Sequence, residues 1–228
     1  MKTYRKTASL VGLFFIIGTV AGVLSMVFLG SFMDTPEYLD RIAADESKVV
    51  IGALLILTMG FALTMVPVLL YPIFRKYNGT LALGAVVFRG ALEAVVYMMQ
   101  AVIWLLLLMV SQEFNTASSA DLPLLQHLGN LLMNADSWVA HILSIVFSLG
   151  ALMIYWVFYR TKLIPRWLSV WGLVGGLLYF VAPMVGLFGM DWGFLMLPLA
   201  LQEMVLALWL IIKGFDSTAI ASLAAKQI

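Results

Sequence analysis

Apolar residues run in six long blocks separated by short polar stretches: Leu10–Leu29, Val49–Leu70, Thr80–Val110, Trp138–Tyr159, Trp167–Phe188 and Phe194–Ile212. Each block is about 20 residues or longer, the length a helix needs to cross a hydrocarbon core of roughly 30 Å. Apolar side chains cover nearly every helical face within a block, which predicts helices packed among lipid and one another rather than a soluble amphipathic bundle. The breaks carry start and turn signals. Thr35-Pro36-Glu37 predicts a short surface helix inside the polar segment Ser31–Lys48, and Asn78-Gly79 predicts a turn. Asp121-Leu122-Pro123 is another helix start, after which Leu124, Leu125, Leu128, Leu131 and Leu132 recur at helical spacing. Gln126, His127, Asn130 and Asn134 fall largely on other faces, so residues 121–135 predict an amphipathic segment that lies on the membrane or caps the bundle. The expected fold is all-α: one domain over residues 1–228, an integral membrane bundle of six transmembrane helices with that amphipathic outer segment between the third and fourth.

Three details sharpen this picture. Lys2, Arg5 and Lys6 before the first block resemble a signal-peptide flank, but the apolar run is long and lacks a small-x-small cleavage site, so a retained first helix is expected. At 31 residues the third block would extend roughly 46 Å as an ideal helix, so it must tilt or project beyond the bilayer. Gly18 and Gly22 in the first block, and Gly172 and Gly176 beside Tyr179 and Pro183 in the fifth, are small-residue seams for close helix packing.

Composition agrees with the pattern. Of 228 residues, 63% are hydrophobic and 11% charged, against about 25% charged in soluble domains, and the mean hydropathy is +1.04. No cysteine is present, which removes disulfides, thiolate metal sites and cysteine nucleophiles. A net charge of +1 with dispersed bases points to no nucleic-acid partner.

The charges are nevertheless ordered. With six crossings, Lys2, Arg5, Lys6, Arg75, Lys76, Arg160, Lys162, Arg166, Lys213 and Lys226 all fall on the side of the termini, accompanied only by Asp216. The opposite loops hold two bases, Arg41 and Lys48, among nine acids. Basic residues set orientation, so both termini are expected in the cytoplasm and the protein in the cell (plasma) membrane.

Three charged residues fit neither side. Arg89, Glu93 and Glu203 lie well inside apolar blocks, where each costs roughly 2.5–3.5 kcal/mol on the lenient insertion scale. Arg89 and Glu93 are four apart and share a helix face, which Tyr97 and Gln100 continue. Antiparallel third and sixth helices bring Glu203 to the same depth as Arg89, with Glu93 about 6 Å further out. One arginine facing two carboxylates leaves a surplus negative charge, which makes one carboxyl a candidate to take up a proton. Gln202 beside Glu203, and the stripe His141, Ser144, Ser148, Tyr155 and Tyr159 in the fourth block, are further polar groups at membrane depth. Serines in such helices often bond their own backbone, and tyrosines near helix ends often belong to the aromatic belt.

No G-x-S-x-G, H-E-x-x-H or P-loop pattern occurs, and no nucleophile–base constellation indicates an enzyme. His127 and His141 stand on different segments near the outer face, a poor arrangement for a haem between them. No cofactor and no metal are expected. Two functions compete. In one, the protein binds or moves a small solute or amphiphile at a site of Arg89, Glu93, Glu203, Gln100, Gln202, Tyr97, His141 and Ser148, with a protonatable carboxylate. In the other it is a non-catalytic membrane partner or sensor subunit in which the Arg/Glu cluster is a structural clamp. Besides the bilayer, the expected partners are a small-molecule or lipid ligand and a second copy or another membrane protein. A cavity reaching Arg89 from one face, lined by Glu93, Gln100, Ser148 and Glu203, separates the two readings.

Several ordered pieces also carry a resemblance: Lys6-Thr7-Ala8 before the first block, Phe88-Arg89 with Glu93-Ala94, and Tyr159-Arg160 followed by Leu163-Ile164-Pro165-Arg166. Leu197-Pro198, Glu203, Leu206-Ala207-Leu208-Trp209-Leu210 and Lys213-Gly214 complete the series. In these the chain resembles, over nearly its whole length, the bacterial multi-pass membrane proteins grouped as domain of unknown function 4386. The resemblance implies six or so helices in a bacterial or archaeal membrane. It implies no activity and no catalytic residues.

Overall fold

The computed structural model describes residues 2–33, 35 and 37–225, and the side chains of 4–29, 35 and 37–225. Asp34, Pro36 of the expected helix start, and Lys226 lie outside the described residues. Each apolar block becomes a helix that continues into its polar flanks, because helical hydrogen bonds stay within the segment whatever the side chains are. The first two crossings are α1 (Lys2–Met33) and α3 (Glu46–Phe74), joined through the short α2 (Tyr38–Ala44). The third crossing starts at Asn78, whose side chain accepts from Leu81 N, and consists of α4 (Gly79–Ala85), a π-helical stretch Val86–Leu92 and α5 (Glu93–Thr116). Then follow α6 (Leu122–Thr161), α7 (Arg166–Gly186), a 3-10 turn Gly193–Met196 leading into α8 (Leu197–Ile212), and α9 (Ser217–Ala225). Among the described residues, six helices are long and apolar enough to cross a membrane. The molecule is a multi-pass membrane protein.

One end of the bundle gathers both described termini. Lys76 Nζ donates to Tyr4 Oη at 3.2 Å, Arg5 Nη2 donates to the carbonyls of Ile211 and Ile212 at 2.7 and 2.8 Å, and Asp216 N donates to Leu163 O at 2.9 Å. These contacts close the terminal end. At the far end the expected short surface helix is α2, which lays Tyr38, Leu39 and Ile42 inward against the bundle and leaves Asp40, Arg41 and Ala44 exposed. Tyr38 Oη donates to Asn130 Oδ1 at 2.8 Å, and Ser111 Oγ donates to Leu39 O.

The amphipathic segment 121–135 is the first part of α6 and not a helix of its own. Proline stands only at its start, and no break separates Asp136 from Trp138, so the hydrogen-bond ladder runs on through 40 residues. Its polar face meets α2 through Asn130, and its Gly129 lies against Tyr38 and Leu39.

The glycine seams bring backbones together. A side chain on Gly18 or Gly22 would strike Leu63 or Met59 of α3, and one on Gly176 would meet Leu152 of α6. Gly175 sits against the backbone of Leu199, joining α7 to α8.

Candidate functional site

The charged cluster is built on the π-helical stretch of the third crossing, in which Arg89 is 1% exposed and Gly90 is buried. A π turn adds a residue to the local ring of hydrogen bonds, and such turns occur frequently at functional sites. Two neighbours hold it. From α3, Thr64 Oγ1 lies 3.3 Å from Gly90 O, a carbonyl of the widened turn. From α6, Gly150 has no side chain, and its missing Cβ would stand 2.5 Å from Arg89 N and 2.6 Å from Arg89 Cβ. Only glycine lets α6 approach this closely.

Arg89 reaches both expected carboxylates. Its Nη1 pairs with Glu93 Oε1, and its Nη2 lies 3.1 and 3.5 Å from the two oxygens of Glu203 on α8. Phe147 of α6 covers the guanidinium, with the carbon centre 4.2 Å from the ring centroid, and Tyr179 of α7 packs on Phe147 at 4.6 Å. A cation over an aromatic face is worth about 2 kcal/mol when desolvated. The cluster thus ties the third crossing to α6 and α8. Arg89 Nε and Glu93 Oε2 are buried without a hydrogen-bond partner.

A cavity of about 600 Å³ ends on this cluster. Its polar lining comes from Thr19 of α1, Arg89, Tyr97 and Gln100 of the third crossing, Ser144 of α6, Tyr179 of α7 and Glu203 of α8. Trp104 bounds it toward the far end, where its Nε1 donates to Asp136 Oδ1 at 2.9 Å. The remaining walls are apolar, among them Leu63, Met59 and Phe147. Of the three ionic side chains, Glu203 is the most open, at 11% exposed against 2% for Glu93 and none for Arg89. An approaching group would therefore meet a carboxylate, hydroxyls and an amide before it met the guanidinium.

The structure separates the eight side chains singled out in the sequence. Arg89, Glu93 and Glu203 meet directly, and Tyr97 and Gln100 line the cavity with Arg89 and Glu203. Glu93 lies behind Arg89, outside the cavity lining. Gln202 faces α7 instead, its Nε2 donating to Leu168 O at 3.0 Å while its Oε1 has no partner. Ser148 is buried and donates to its own helix at Ser144 O. His141 stands nearer the far end beside Gly186, in a separate cleft with Asp191 and Trp192.

Sequence reasoning passed over Phe147, Gly150 and the π turn. The first two share one face of α6, three residues apart, but nothing in the sequence says which neighbour that face meets. The π turn leaves no compositional mark. Among the described residues no group of His, Asp and Glu could hold a metal ion. What the arrangement offers is a recess with an apolar body and a hydrogen-bonding floor on which one guanidinium faces two carboxyl groups.

No curated protein and no solved structure matches the chain. A family model, the domain of unknown function DUF4386, matches residues 10–214 and so spans the crossings that carry Arg89, Glu93 and Glu203. The chain belongs to the DUF4386 family.

Proposed function

We propose that the protein binds, or carries across the bilayer, a small solute or amphiphile in the cavity that ends on Arg89 and Glu203. One observation carries this reading: an interior that served only to lock helices together would be filled, yet about 600 Å³ stands open against the ion cluster. That volume lies within the usual range of small-molecule sites, roughly 300–1,000 Å³, and the few convergent polar groups on apolar walls fit the usual pattern. Glu203 is the coupling group, since it both contacts Arg89 and faces the cavity. Proton uptake there would remove the surplus negative charge.

A second reading has its own observation. Both terminal nitrogens of Arg89 are held by carboxylates and an aromatic ring covers its face, the arrangement of a clamp in a partner or sensor subunit. Placement in the bacterial plasma membrane with cytoplasmic termini, and assembly as a homodimer or with another membrane protein, belong to the same proposal. The orientation rests on the basic residues of the terminal end.

Melting of the purified protein across pH and a panel of lipids and metabolites, with wild type beside Glu203→Gln, tests the reading. A ligand that binds only the native state raises stability by mass action. Stabilisation present in wild type and absent in Glu203→Gln supports the site. Identical profiles for both proteins reject Glu203 as the coupling group.

A further inference from the structure

The cavity is open sideways, between two helices that touch elsewhere along the same faces. On α1 the face is marked by Gly12, Thr19, Val23 and Met26, spaced seven, four and three residues apart. On α8 it is marked by Ala200, Glu203 and Ala207, spaced three and four. Toward the terminal end these faces are pressed together: a side chain on Gly12 would stand 2.5 Å from Ala207 O. Toward the far end they part. There Thr19, Val23 and Met26 line the cavity from one side, and Ala200 and Glu203 from the other. Val23 is 57% exposed and Met26 62%, so these walls are open to the surroundings. The slot lies within the apolar spans of both helices, where the surroundings are lipid chains rather than water.

The floor has a definite charge preference. Both terminal nitrogens of Arg89 are taken by carboxylates, Phe147 covers its face, and its side chain has no exposure. One cation stands against two carboxylates, and the accessible one is Glu203. Tyr97 and Tyr179 line the same recess, and aromatic rings near a cation favour it. A head group bringing positive charge and hydrogen-bond donors complements this floor, and an anionic head is repelled by it.

We infer that the ligand is a single-chain amphiphile with an amine or ammonium head, which lodges at Glu203 while its tail leaves between α1 and α8 into the bilayer. This rests on the cavity being a binding site, and it adds the route of access and the ligand's charge.

The test uses the full chain in phosphatidylcholine nanodiscs. Dodecylamine, dodecanol and dodecyl sulfate are compared at equal mole fraction, with methylamine in the buffer as a head without a tail. Dodecylamine alone is expected to raise the melting temperature. In Glu203→Gln about ten times more dodecylamine is needed for the same rise, the loss of one charge-assisted hydrogen bond. Val23→Trp and Ala200→Trp, which fill the slot from opposite walls, abolish it. A photoactivatable dodecylamine read by mass spectrometry is expected to mark α1 and α8 around Met26 and Ala200, and this readout does not depend on a variant's stability.

Three outcomes overturn the inference in different ways. Stabilisation by methylamine that the tryptophan variants leave intact means access from water, so the route fails while the binding site stands. Equal stabilisation by dodecyl sulfate or dodecanol sinks the charge preference. No effect from any compound, with no labelling at the slot, rejects both the inference and the binding reading beneath it.

Discussion

Replacing Gly150 by alanine tests whether α6 is in fact pressed onto the π turn that carries Arg89. The new Cβ would fall 2.5 Å from Arg89 N, 2.6 Å from its Cβ and 2.9 Å from its Cα, where ordinary contact lies at 3.4–4 Å. Two of those three atoms are backbone, so no side-chain rotation relieves the overlap. The helices must separate by close to 1 Å, and overpacking of this kind costs about 1–3 kcal/mol. Better helix propensity returns at most about 1 kcal/mol. The net expectation is a loss of roughly 1–2 kcal/mol. Gly90, one residue beyond Arg89 on the same turn, is the matched control. A Cβ there meets nothing closer than Pro67 Cγ at 3.5 Å, so propensity acts alone and Gly90→Ala is neutral or slightly stabilising. Unfolding by sodium dodecyl sulfate in mixed micelles, followed by tryptophan fluorescence, measures both variants on one scale. If Gly150→Ala unfolds at the same detergent fraction as Gly90→Ala, the close approach of α6 to Arg89 does not exist.

The same unfolding assay is expected to show Arg89→Ala losing about 3–5 kcal/mol, since two buried carboxylates lose their cation. Arg160→Ala, an exposed arginine stacked on Trp156 at 5.7 Å, is expected to change little, and equal losses for the two would mean that no buried pair exists. Because the chain has no cysteine, single cysteines near Asp40 and Ser118 are expected to react with an impermeant thiol reagent on intact cells, and those near Asn78 and Lys162 to be spared. Reaction at Lys162 from outside would refute the orientation. Asp216 caps α9: Thr218 Oγ1, the backbone N of Ala219 and the backbone N of Thr218 all donate to its Oδ1, holding its carboxyl below the usual carboxylate range. Because the folded form binds its proton less readily, the cap contributes fully above the ordinary carboxylate value and is lost as pH falls below it. Protection of the amides over 217–225, taken relative to the intrinsic exchange rate at each pH, is expected to fall in acid and in Asp216→Ala, by about 1 kcal/mol of lost capping; unchanged protection in the variant would refute the cap.

The six crossings were legible because their signal is a length: about 20 apolar residues have few uses besides spanning a bilayer. The meeting of Arg89, Glu93 and Glu203 was legible for a related reason, since charge at that depth needs a partner and few were present. Helical spacing also put Tyr97 and Gln100 on the face that lines the cavity together with Arg89. It failed where the outcome depends on how helices are rotated against each other. His141 and Ser148 share a stripe with Ser144, yet only Ser144 lines the cavity; Ser148 bonds its own helix, and His141 lies too near the far end. Gln202 adjoins Glu203 in sequence and so, about 100° around the helix, had to face another neighbour. The sequence showed 121–135 as an amphipathic segment but not whether it lies on the membrane or caps the bundle. Part of its polar face bonds to Tyr38 of α2, a pairing of two outer segments that neither sequence reveals alone.

Clamp and binding site are often set against each other, but the geometry here makes them parts of one construction. Arg89 holds the third crossing and α8 together with both its terminal nitrogens occupied and α6 through Phe147, so it stands at the cavity wall with no terminal nitrogen left to offer a ligand. What the cavity receives is the other side of the same pair, the Glu203 carboxylate, held in place by the cation behind it. Close packing of α1 on α8 at Gly12 and Ala207 seals the terminal half of their contact, so the cluster forms the floor of a recess that opens only in the far half. A large stability loss in Arg89→Ala is therefore expected under either function and does not separate them. The deciding perturbation is the one that keeps a hydrogen-bonding group on Arg89 while removing the carboxylate's charge from the recess. Glu203→Gln does this: its stability tests the clamp, and its response to cationic amphiphiles tests the site, in the same protein.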